Sequence, residues 1–317
     1  MSTLRMRIAR IDSLTPAIRR LHLVAADGVP LPAFDAGAHI GVHVPLGERT
    51  QRRAYSLVNA TGPADHYEIA VLLEPAGGGG SQWIHHREVG DEFDIDPPRN
   101  DFPLAGGARR HLLIAGGIGI TPVLAMARTL DAAGQPYTLH YAARDVESMA
   151  YRDEVAALPT ATRWLDGRDM RCSLPLAETV GPHEDGAHLY VCGPAGLVAA
   201  TFDTARGLGW PEHALHCELF AAPASASSAD SVFEVRLVAS DRVLTVPPGM
   251  SILDAMIDAG LDPLYDCKRG DCGVCSAQLL DGTPEHRDIC LTSDERARGA
   301  FCPCVSRAKS ARLVLDL

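Results

Sequence analysis

Three closely spaced cysteines near the C-terminus constrain this chain more than any other feature. Cys267, Cys272 and Cys275 follow a C-x4-C-x2-C spacing, and Cys304 comes after 28 further residues. Four thiolates at this spacing are typical ligands of a plant-type [2Fe–2S] cluster. Two glycines lie between the first three cysteines and allow the sharp turns that a loop around a cluster needs. The pattern therefore predicts an iron–sulfur site.

Two alternatives to this interpretation stay open. Pairs of cysteines two to four residues apart also bind structural zinc, although zinc sites usually show two short pairs rather than a triplet and a distant fourth thiol. The fourth ligand is also ambiguous, because Phe301-Cys302-Pro303-Cys304 offers both Cys302 and Cys304. The remaining cysteines, Cys172, Cys217 and Cys290, lack partners at ligand spacing and are interpreted as structural or unmodified thiols.

The first hundred residues alternate short apolar stretches with turns rich in glycine and proline. This pattern, with almost no helical periodicity, predicts a small antiparallel β-barrel. The predicted strands are Met6–Ile11, Ile18–Val24, His39–Val44, Ala54–Leu57, Glu68–Leu73 and Glu92–Ile95.

Two short motifs in this region carry chemistry. Arg53-Ala54-Tyr55-Ser56 places a cation, an aromatic ring and a hydroxyl together, and an arginine can bind a phosphate while a tyrosine packs against a flat ring. Gly77–Ser81, which includes Gly79 and Gly80, precedes a predicted helix and would present backbone N–H groups to an anion. Each motif alone is weak evidence. Together they predict a flavin nucleotide with one phosphate.

The next segment alternates strands and helices, a pattern typical of a parallel α/β sheet. The predicted strands are His111–Ala115, Tyr137–Ala143 and His188–Val191, and the predicted helices are Val123–Leu130, Met149–Leu158 and Ala195–Arg206. Ligands bind such sheets at the carboxyl ends of the strands. Two glycine-containing motifs fall there, Gly116–Thr121, with Gly117 and Gly119, and Cys192-Gly193-Pro194. They predict a dinucleotide site.

Residues 221–231 are small and polar without periodicity, and they predict a flexible linker. Beyond it, the predicted elements are the strands Phe233–Val238, Val243–Val246, Ala277–Leu280 and Leu313–Leu315 and the helix Ile252–Ala259. They form an α+β domain that carries the cysteines. The predicted organisation is therefore a barrel at 1–105, an α/β domain at 106–222, a linker at 223–231 and an iron–sulfur domain at 232–317.

Composition narrows the choice of partner. The net charge is −11, and no segment has a stripe of basic residues, so we expect no nucleic-acid partner. No apolar run reaches the length of a membrane helix, so we expect no membrane association. Nine cysteines, an odd number, and a first segment without the apolar core of a signal peptide favour a reducing compartment, the bacterial cytoplasm.

With these residues established, the chain resembles the phthalate dioxygenase reductase family over essentially its whole length. The matching motifs are Arg53-Ala54-Tyr55-Ser56, Gly79-Gly80-Ser81, Pro98-Arg99-Asn100, the run from Ala115 to Pro122, Cys192-Gly193-Pro194 and Cys304-Val305-Ser306-Arg307-Ala308. The resemblance implies a flavin barrel, a nicotinamide domain and a C-terminal ferredoxin domain in that order. It also implies Cys304 as the fourth cluster ligand, because the Val-Ser-Arg-Ala run follows it.

The resemblance implies specific roles for further residues. FMN would be held at its phosphate by Arg53, Gly80 and Ser81. Its ring and ribityl chain would lie against Tyr55, Ser56 and the strand Ala70–Leu72. The nicotinamide of NADH would dock near Thr121 and Cys192, and Phe220 matches the aromatic residue that covers the flavin. The sequence favours NADH over NADPH. A site for the 2′-phosphate of NADPH would need clustered basic residues after the second α/β strand, and Arg144 is the single basic residue among acidic ones there.

The resemblance also implies a partner. The family passes electrons from NADH through FMN and the [2Fe–2S] cluster to a separate oxygenase component, typically a Rieske non-haem iron protein acting on an aromatic acid such as phthalate or vanillate. An electron donor to a P450 or another haem protein is the nearest alternative. A zinc-stapled nucleotide-binding module without redox activity is the alternative of another class, and it would be colourless.

Overall fold

The computed structural model describes residues 3–47, 49–59, 61–62, 65–166, 173–220, 230–265 and 267–317. The chain divides into two compact units, Met1–Glu218 and Leu219–Leu317. The predicted linker at 223–231 lies outside the described residues except for its last two positions, and Cys172 also lies outside them. Among the described helices, every one is too short or too polar to span a lipid bilayer.

The first unit opens with an antiparallel barrel. Its described strands are β1 (Leu4–Thr15), β2 (Ile18–Ala25), β3 (Ala38–Leu46), β4 (Arg49–Ser56), β5 (Tyr67–Leu72), β6 (Glu92–Ile95) and β7 (Arg99–Asn100), with the helix α1 (Gly80–His85) between β5 and β6. They pair in the order β4-β3-β6-β1-β2-β5, and β7 pairs with β3. Alternate residues such as Ile40, Val42 and Val44 are fully buried, because successive side chains of a strand point to opposite faces. The predicted barrel is confirmed.

A parallel sheet follows in the same unit. Its described elements are β8 (Arg110–Gly116), α2 (Ile120–Ala132), β9 (Tyr137–Ala143), α3 (Arg152–Ala157), β10 (Ala161–Leu165), α4 (Leu176–Val180), β11 (Ala187–Cys192), α5 (Ala195–Gly207) and β12 (Leu215–Glu218). The strand order is β10-β9-β8-β11-β12, and every described pair is parallel. The predicted α/β sheet is confirmed. The sequence pattern missed β10 and β12, which are the edge strands and lack a continuous buried run.

The helix predicted at Met149–Leu158 begins later than expected. In the structure α3 covers only Arg152–Ala157, because Tyr151 adopts a left-handed backbone conformation with φ of 55°. This conformation buries the tyrosine ring, and the hydroxyl donates to Glu68 Oε1 of the barrel across 3.1 Å. Tyr151 is therefore not part of the helix, and it forms a buried contact between the barrel and the parallel sheet instead. The barrel and the sheet share one hydrophobic core.

The second unit is a mixed α+β sheet. Its described elements are β13 (Phe233–Leu237), β14 (Arg242–Val246), α6 (Ile252–Asp258), β15 (Ala277–Asp281), β16 (Pro284–Glu285), α7 (Ser293–Ala297), β17 (Ala300–Phe301), β18 (Arg307–Ala308) and β19 (Arg312–Leu315). The main sheet has the order β14-β13-β19-β15-β17. Helix α6 begins where the Ser251 hydroxyl accepts a hydrogen bond from the Asp254 N–H at 2.9 Å, a typical N-cap.

Candidate functional site

The four predicted ligand cysteines converge in the second unit. Cys267, Cys272 and Cys275 lie on the loop between α6 and β15, and Cys304 lies between β17 and β18. The Cys267 thiol forms hydrogen bonds with those of Cys304 and Cys272, and Cys275 also contacts Cys304. Gly270, with φ of 80°, allows this approach, because a Cβ there would lie 2.6 Å from a methyl carbon of Val305.

Cysteine binds a metal as the thiolate, and two of the four thiols have a pKa that favours this form. A hydrogen bond with Cys304 lowers the pKa of Cys267 to about 3, despite the opposing effect of burial. Contacts with Cys302 and then Cys304 likewise lower the pKa of Cys275 to about 3. The backbone N–H of Arg269 also donates to the Cys267 sulfur at 3.2 Å. Burial, by contrast, raises the pKa of Cys272 to about 12, and hydrogen bonds with Cys267 and Cys275 raise the pKa of Cys304. A metal would have to displace the protons that these two sulfurs keep, and the four converging sulfurs then fit a thiolate-bound metal cluster.

The two candidates for the fourth ligand differ in their surroundings. The Cys304 sulfur contacts both Cys267 and Cys275. The Cys302 sulfur contacts Cys275 but also faces Cys290, at 3.5 Å. Cys304 is thus central to the group of thiols, whereas Cys302 lies at its margin.

Asp271, which the sequence analysis did not single out, lies inside the cysteine loop. Its Oδ2 accepts a hydrogen bond from the Leu219 N–H at 3.0 Å. Burial raises the pKa of Asp271 to about 6, although the Arg269 guanidinium opposes the shift. The loop is thereby tied to the residue before Phe220, whose ring is 38% exposed. The position of Asp271 next to a ligand cysteine could have drawn attention to it in the sequence. Its partner Leu219 could not have been predicted in this way, because it lies 52 positions away.

In the barrel, Arg53 reaches the glycine-rich loop before α1. Its Nη2 donates to Gln51 Oε1 at 2.7 Å and to the Gly78 carbonyl at 3.3 Å. A Cβ on Gly80 would lie 2.8 Å from the Arg53 side chain. Gly79, with φ of 82°, precedes the helix. The sequence-predicted cation and glycine loop therefore meet, and together they form a cradle that suits an anion.

The other predicted flavin contacts occupy the same region of the barrel. Ala54, Tyr55 and Ser56 end β4, while Ala70 and Leu72 lie on β5. Ser56 Oγ is buried and has no hydrogen-bond partner among the described residues. Burial raises the pKa of Tyr55 to about 12 against the effect of nearby Arg53. An unpaired buried hydroxyl is costly unless a ligand supplies its partner, so these residues fit a bound polar group.

Ser81 forms a hydrogen bond with the residues that precede the glycine-rich loop. Its Oγ accepts a hydrogen bond from the Glu74 N–H at 3.0 Å. The hydroxyl proton is then available for donation to an anion. Ser81 follows Gly80 directly, and Arg53 contacts Gly78 and Gly80, so both side chains lie at the same glycine loop.

The predicted nicotinamide residues come together at the carboxyl ends of β8 and β11, which are neighbours in the parallel sheet. A Cβ on Gly119 would lie 2.2 Å from the Cys192 carbonyl oxygen, and one on Gly193 would lie 3.0 Å from the Gly116 backbone. Side chains at these positions would push the two strand ends apart. Glycine therefore maintains a close backbone approach at this edge of the sheet.

Four predicted residues border this edge. Thr121 is buried, and its hydroxyl donates to the Ile118 carbonyl at 3.1 Å, which stabilises the turn after β8. Cys192 is fully buried at the end of β11. Pro194 stands immediately before α5, and Gly117 takes the left-handed conformation with φ of 55°. The edge thus presents mainly backbone to a ligand.

Comparisons with known proteins show which families and relatives the chain is similar to. Residues 95–215 match the family described as dimethylamine monooxygenase subunit DmmA-like, N-terminal domain, and residues 236–309 match the 2Fe-2S iron-sulfur cluster binding domain. The chain is 43% identical to the vanillate O-demethylase oxidoreductase of Pseudomonas sp. strain HR199, over 94% of each sequence. It is 39% identical to the heme-dependent oxidative N-demethylase beta subunit of Ectopseudomonas mendocina, over 100% of each.

A solved structure is similar over the whole chain. It is titled phthalate dioxygenase reductase, a modular structure for electron transfer from pyridine nucleotides to [2Fe-2S]. The TM-score is 0.73 with 37% sequence identity, and the match covers 100% of this chain and 98% of the other. The similarity thus extends over the barrel, the parallel sheet and the cysteine-bearing unit alike.

Proposed function

The chain belongs to the phthalate dioxygenase reductase family, and from this premise we propose that it is the reductase component of a two-component oxygenase. It takes electrons from NADH and passes them through FMN and a [2Fe–2S] cluster to a separate oxygenase. The convergence of Cys267, Cys272, Cys275 and Cys304 in a domain of the iron–sulfur type is the observation that carries this proposal.

The cofactors supply the redox chemistry when bound, because nicotinamide donates electrons in pairs whereas a [2Fe–2S] cluster accepts one at a time. The protein's own residues bind and orient them. Arg53 and Ser81 bind the FMN phosphate at the Gly79–Gly80 loop, and Tyr55 and Ser56 hold the ring and ribityl chain. The contact between Arg53 and Gly78 supports the first role, and the unpaired Ser56 hydroxyl supports the second.

The edge formed by Gly119, Cys192 and Gly193 holds the nicotinamide end of NADH. Its support is the close backbone approach, which only glycine permits at Gly119 and Gly193 and which leaves backbone groups rather than side chains at this edge. Thr121 keeps the turn in place, and Phe220 covers the flavin, a role taken from the family resemblance. These residues position the reactants, and we assign no covalent step to Cys192.

NADH is the preferred nicotinamide. The residues after β9 are exposed and include Arg144, Asp145 and Glu147. Asp145 accepts a hydrogen bond from the Ser148 N–H at 2.7 Å, which keeps a carboxylate at this turn. A carboxylate suits a ribose hydroxyl and repels a 2′-phosphate. Initial rates with NADH and NADPH at matched concentrations test the preference, and equal or faster rates with NADPH would contradict it.

The partner is an oxygenase component, and within this class we propose a Rieske non-haem iron protein acting on an aromatic acid such as vanillate or phthalate. Relatives named for vanillate and phthalate support this choice. A haem protein is the second candidate, because a relative that this chain matches over its full length is named as the beta subunit of a heme-dependent oxidative N-demethylase. Purified oxygenases of both kinds, tested for product formation with this reductase, discriminate between the two.

The cytoplasm is the compartment that we propose, because a protein oxidising NADH must reach the intracellular nicotinamide pool. All cysteines in the described part of the chain are thiols rather than disulfides. This is the state expected in a reducing compartment.

A visible spectrum of the purified protein tests the proposed function directly. We expect flavin and iron–sulfur bands that bleach on anaerobic addition of NADH, and FMN in the supernatant after denaturation. Flavin without cluster absorbance would indicate a simple flavin reductase. A colourless protein that binds zinc would contradict the proposal altogether.

A further inference from the structure

Two cysteines outside the proposed ligand set lie side by side next to the cysteine loop. The sulfurs of Cys290 and Cys302 are 3.5 Å apart. Cys302 is fully buried, whereas Cys290 is partly accessible. Neither belongs to the C-x4-C-x2-C spacing, and the proposed electron path does not use them.

Both cysteines are held against the loop. The Cys290 N–H donates to the Gly270 carbonyl at 3.2 Å. A Cβ on Gly273 would lie 3.7 Å from the Cys290 sulfur, so that sulfur lies beside the segment between two proposed ligands. On its other side, the Cys302 thiol forms a hydrogen bond with Cys275. The pair thus contacts the loop through both of its members.

A second metal ion is one conceivable use of this pair, because the Asp288 carboxylate lies close to both sulfurs. However, the carboxylate is already occupied. Its Oδ1 accepts from the Ser306 hydroxyl at 2.9 Å, and its Oδ2 accepts from Arg296 Nη2 at 2.9 Å. Asp288 therefore stabilises the fold at this point, and the two thiols remain as the reactive groups.

We propose that Cys290 and Cys302 form a redox-active thiol pair that a hydroperoxide converts into a disulfide. Both lie outside helices and strands, so their sulfurs can approach from contact distance with a small loop movement. A disulfide bond needs the two sulfurs at about 2.05 Å. Cys290 is the sulfur that meets the oxidant, because it is the accessible one.

The reaction balances with hydrogen peroxide as the oxidant. The Cys290 sulfur attacks one peroxide oxygen, the O–O bond breaks, and the first water leaves with a proton from the medium, giving a sulfenic acid. The Cys302 sulfur then attacks the Cys290 sulfur and displaces the hydroxyl as the second water. The two thiols lose two electrons and two protons in total, and hydrogen peroxide is reduced to two waters.

Oxidation also removes a hydrogen-bond donor from the cluster environment. In the thiol form, Cys302 is positioned to donate to the Cys275 sulfur. Hydrogen bonds to ligand sulfurs stabilise the reduced cluster and raise its reduction potential. The disulfide cannot donate, so the potential should fall and electron delivery should slow. This consequence rests on the proposed function, whereas formation of the disulfide does not.

Peptide mapping of the full-length holoprotein tests the bond. The protein is treated with a small excess of hydrogen peroxide, its remaining thiols are alkylated, and it is digested with trypsin without reduction. Residues 288–296 and 299–307 are released as separate peptides, each carrying one member of the pair. We expect these peptides to be linked, with fragmentation placing the bond on Cys302 rather than Cys304, and dithiothreitol to separate them.

The variants Cys290→Ser and Cys302→Ser should each lose the linked peptide, and Cys217→Ser should retain it as a matched control. The cluster absorbance shows that each variant is folded and loaded. Unlinked peptides in oxidised wild-type protein would overturn the proposal. Linkage found only in protein that has lost its cluster absorbance would also overturn it, because the thiols would then have paired after cluster loss.

A redox titration followed by electron paramagnetic resonance tests the consequence separately. We expect peroxide to lower the cluster potential of wild-type protein and to leave that of Cys290→Ser unchanged. An equal shift in this variant would exclude the disulfide as the cause. A protein without a cluster signal would instead contradict the proposed function, while the peptide map would still report on the thiol pair.

Discussion

Leu219 and Asp271 are joined by a hydrogen bond from the Leu219 N–H to Asp271 Oδ2, 3.0 Å long. Asp271 belongs to the cysteine loop, and Leu219 precedes Phe220, the residue that the family resemblance assigns to the flavin. The carboxylate is nearly buried and also pairs with the Arg269 guanidinium at 3.5 Å. A single acidic side chain therefore connects the proposed cluster loop to the proposed flavin-covering segment.

This connection predicts a kinetic effect of Asp271→Ala. Removal of the carboxylate leaves the Leu219 N–H without its acceptor, at a cost of about 1–3 kcal/mol. We expect anaerobic stopped-flow traces with NADH to show slower bleaching of the cluster. Asp271→Asn, which retains an acceptor oxygen, should be affected less. If both variants reduce their clusters at the wild-type rate, the connection has no role in electron transfer.

Cysteine variants should separate Cys304 from Cys302 as the fourth ligand. Cys304 contacts Cys267 and Cys275, so Cys304→Ala removes a sulfur from the centre of the group. We expect this variant to lose its iron, inorganic sulfide and cluster absorbance while it retains flavin. Cys302→Ala should retain all three. Iron retention in the first variant and iron loss in the second would assign the ligand to Cys302.

Arg53→Ala should weaken binding of FMN but not of riboflavin, which lacks the phosphate. A hydrogen bond to a charged group contributes about 1.5–3 kcal/mol, so we expect FMN affinity to fall roughly 10- to 100-fold. Flavin fluorescence titration of the apoprotein measures both affinities. Arg52→Ala is the matched control, because the neighbouring Arg52 pairs with Asp96 instead. A similar loss for both flavins would contradict a phosphate contact.

Gly119→Ala should disturb the proposed nicotinamide site at the carboxyl ends of β8 and β11, because there is no room for a side chain at this position. The φ of Gly119 is −61°, which any residue adopts, but its Cβ would lie 2.2 Å from the Cys192 carbonyl oxygen. Overpacking of this kind costs about 1–3 kcal/mol. We expect a higher KM for NADH and a lower Tm.

Gly196→Ala is the control for this prediction. A Cβ on Gly196 meets no atom within 4 Å, and the residue lies in the first turn of α5 near the same edge. The KM and Tm of this variant should match those of the wild type. Wild-type values in Gly119→Ala would show that the two strand ends can separate without loss of binding.

His216 should make the first unit less stable in mild acid. Burial, followed by the charges of His188, His213 and His111, lowers the pKa of His216 to about 4, below its ordinary value of 6.5. The unfolded chain therefore binds a proton before the folded chain does, and stability falls as the pH decreases from about 6.5 towards 4. Because the ring is partly exposed, we expect a loss of about 1–2 kcal/mol.

Thermal unfolding followed by circular dichroism at pH 7 and pH 5 measures this effect. His216→Gln should show a smaller decrease in Tm between the two pH values than the wild type. His213→Gln is the matched control, because His213 is exposed and should leave most of the decrease in place. Parallel decreases in all three proteins would assign the acid sensitivity to other groups.

The sequence predicted those parts of the structure that depend on local pattern. Short apolar stretches between turns rich in glycine and proline located the barrel strands, and apolar runs located β8, β9 and β11 within a few residues. Edge strands such as β10 were missed because only one side of them is covered. The helix predicted at Met149–Leu158 begins only at Arg152, because Tyr151 adopts a left-handed conformation. Its hydroxyl donates to Glu68, 83 positions away, a contact that no local pattern reveals.

The sequence by itself determined the residue types of the site, since ligand spacing and glycine motifs are properties of neighbouring positions. Tertiary structure alone decided which of these residues meet. Arg53 reaches Gly78 across 25 positions, Asp271 holds Leu219 across 52, and Cys290 faces Cys302 across 12. Such contacts depend on how strands and loops pack, because the energy that brings distant residues together comes from the whole buried core rather than from the local chain.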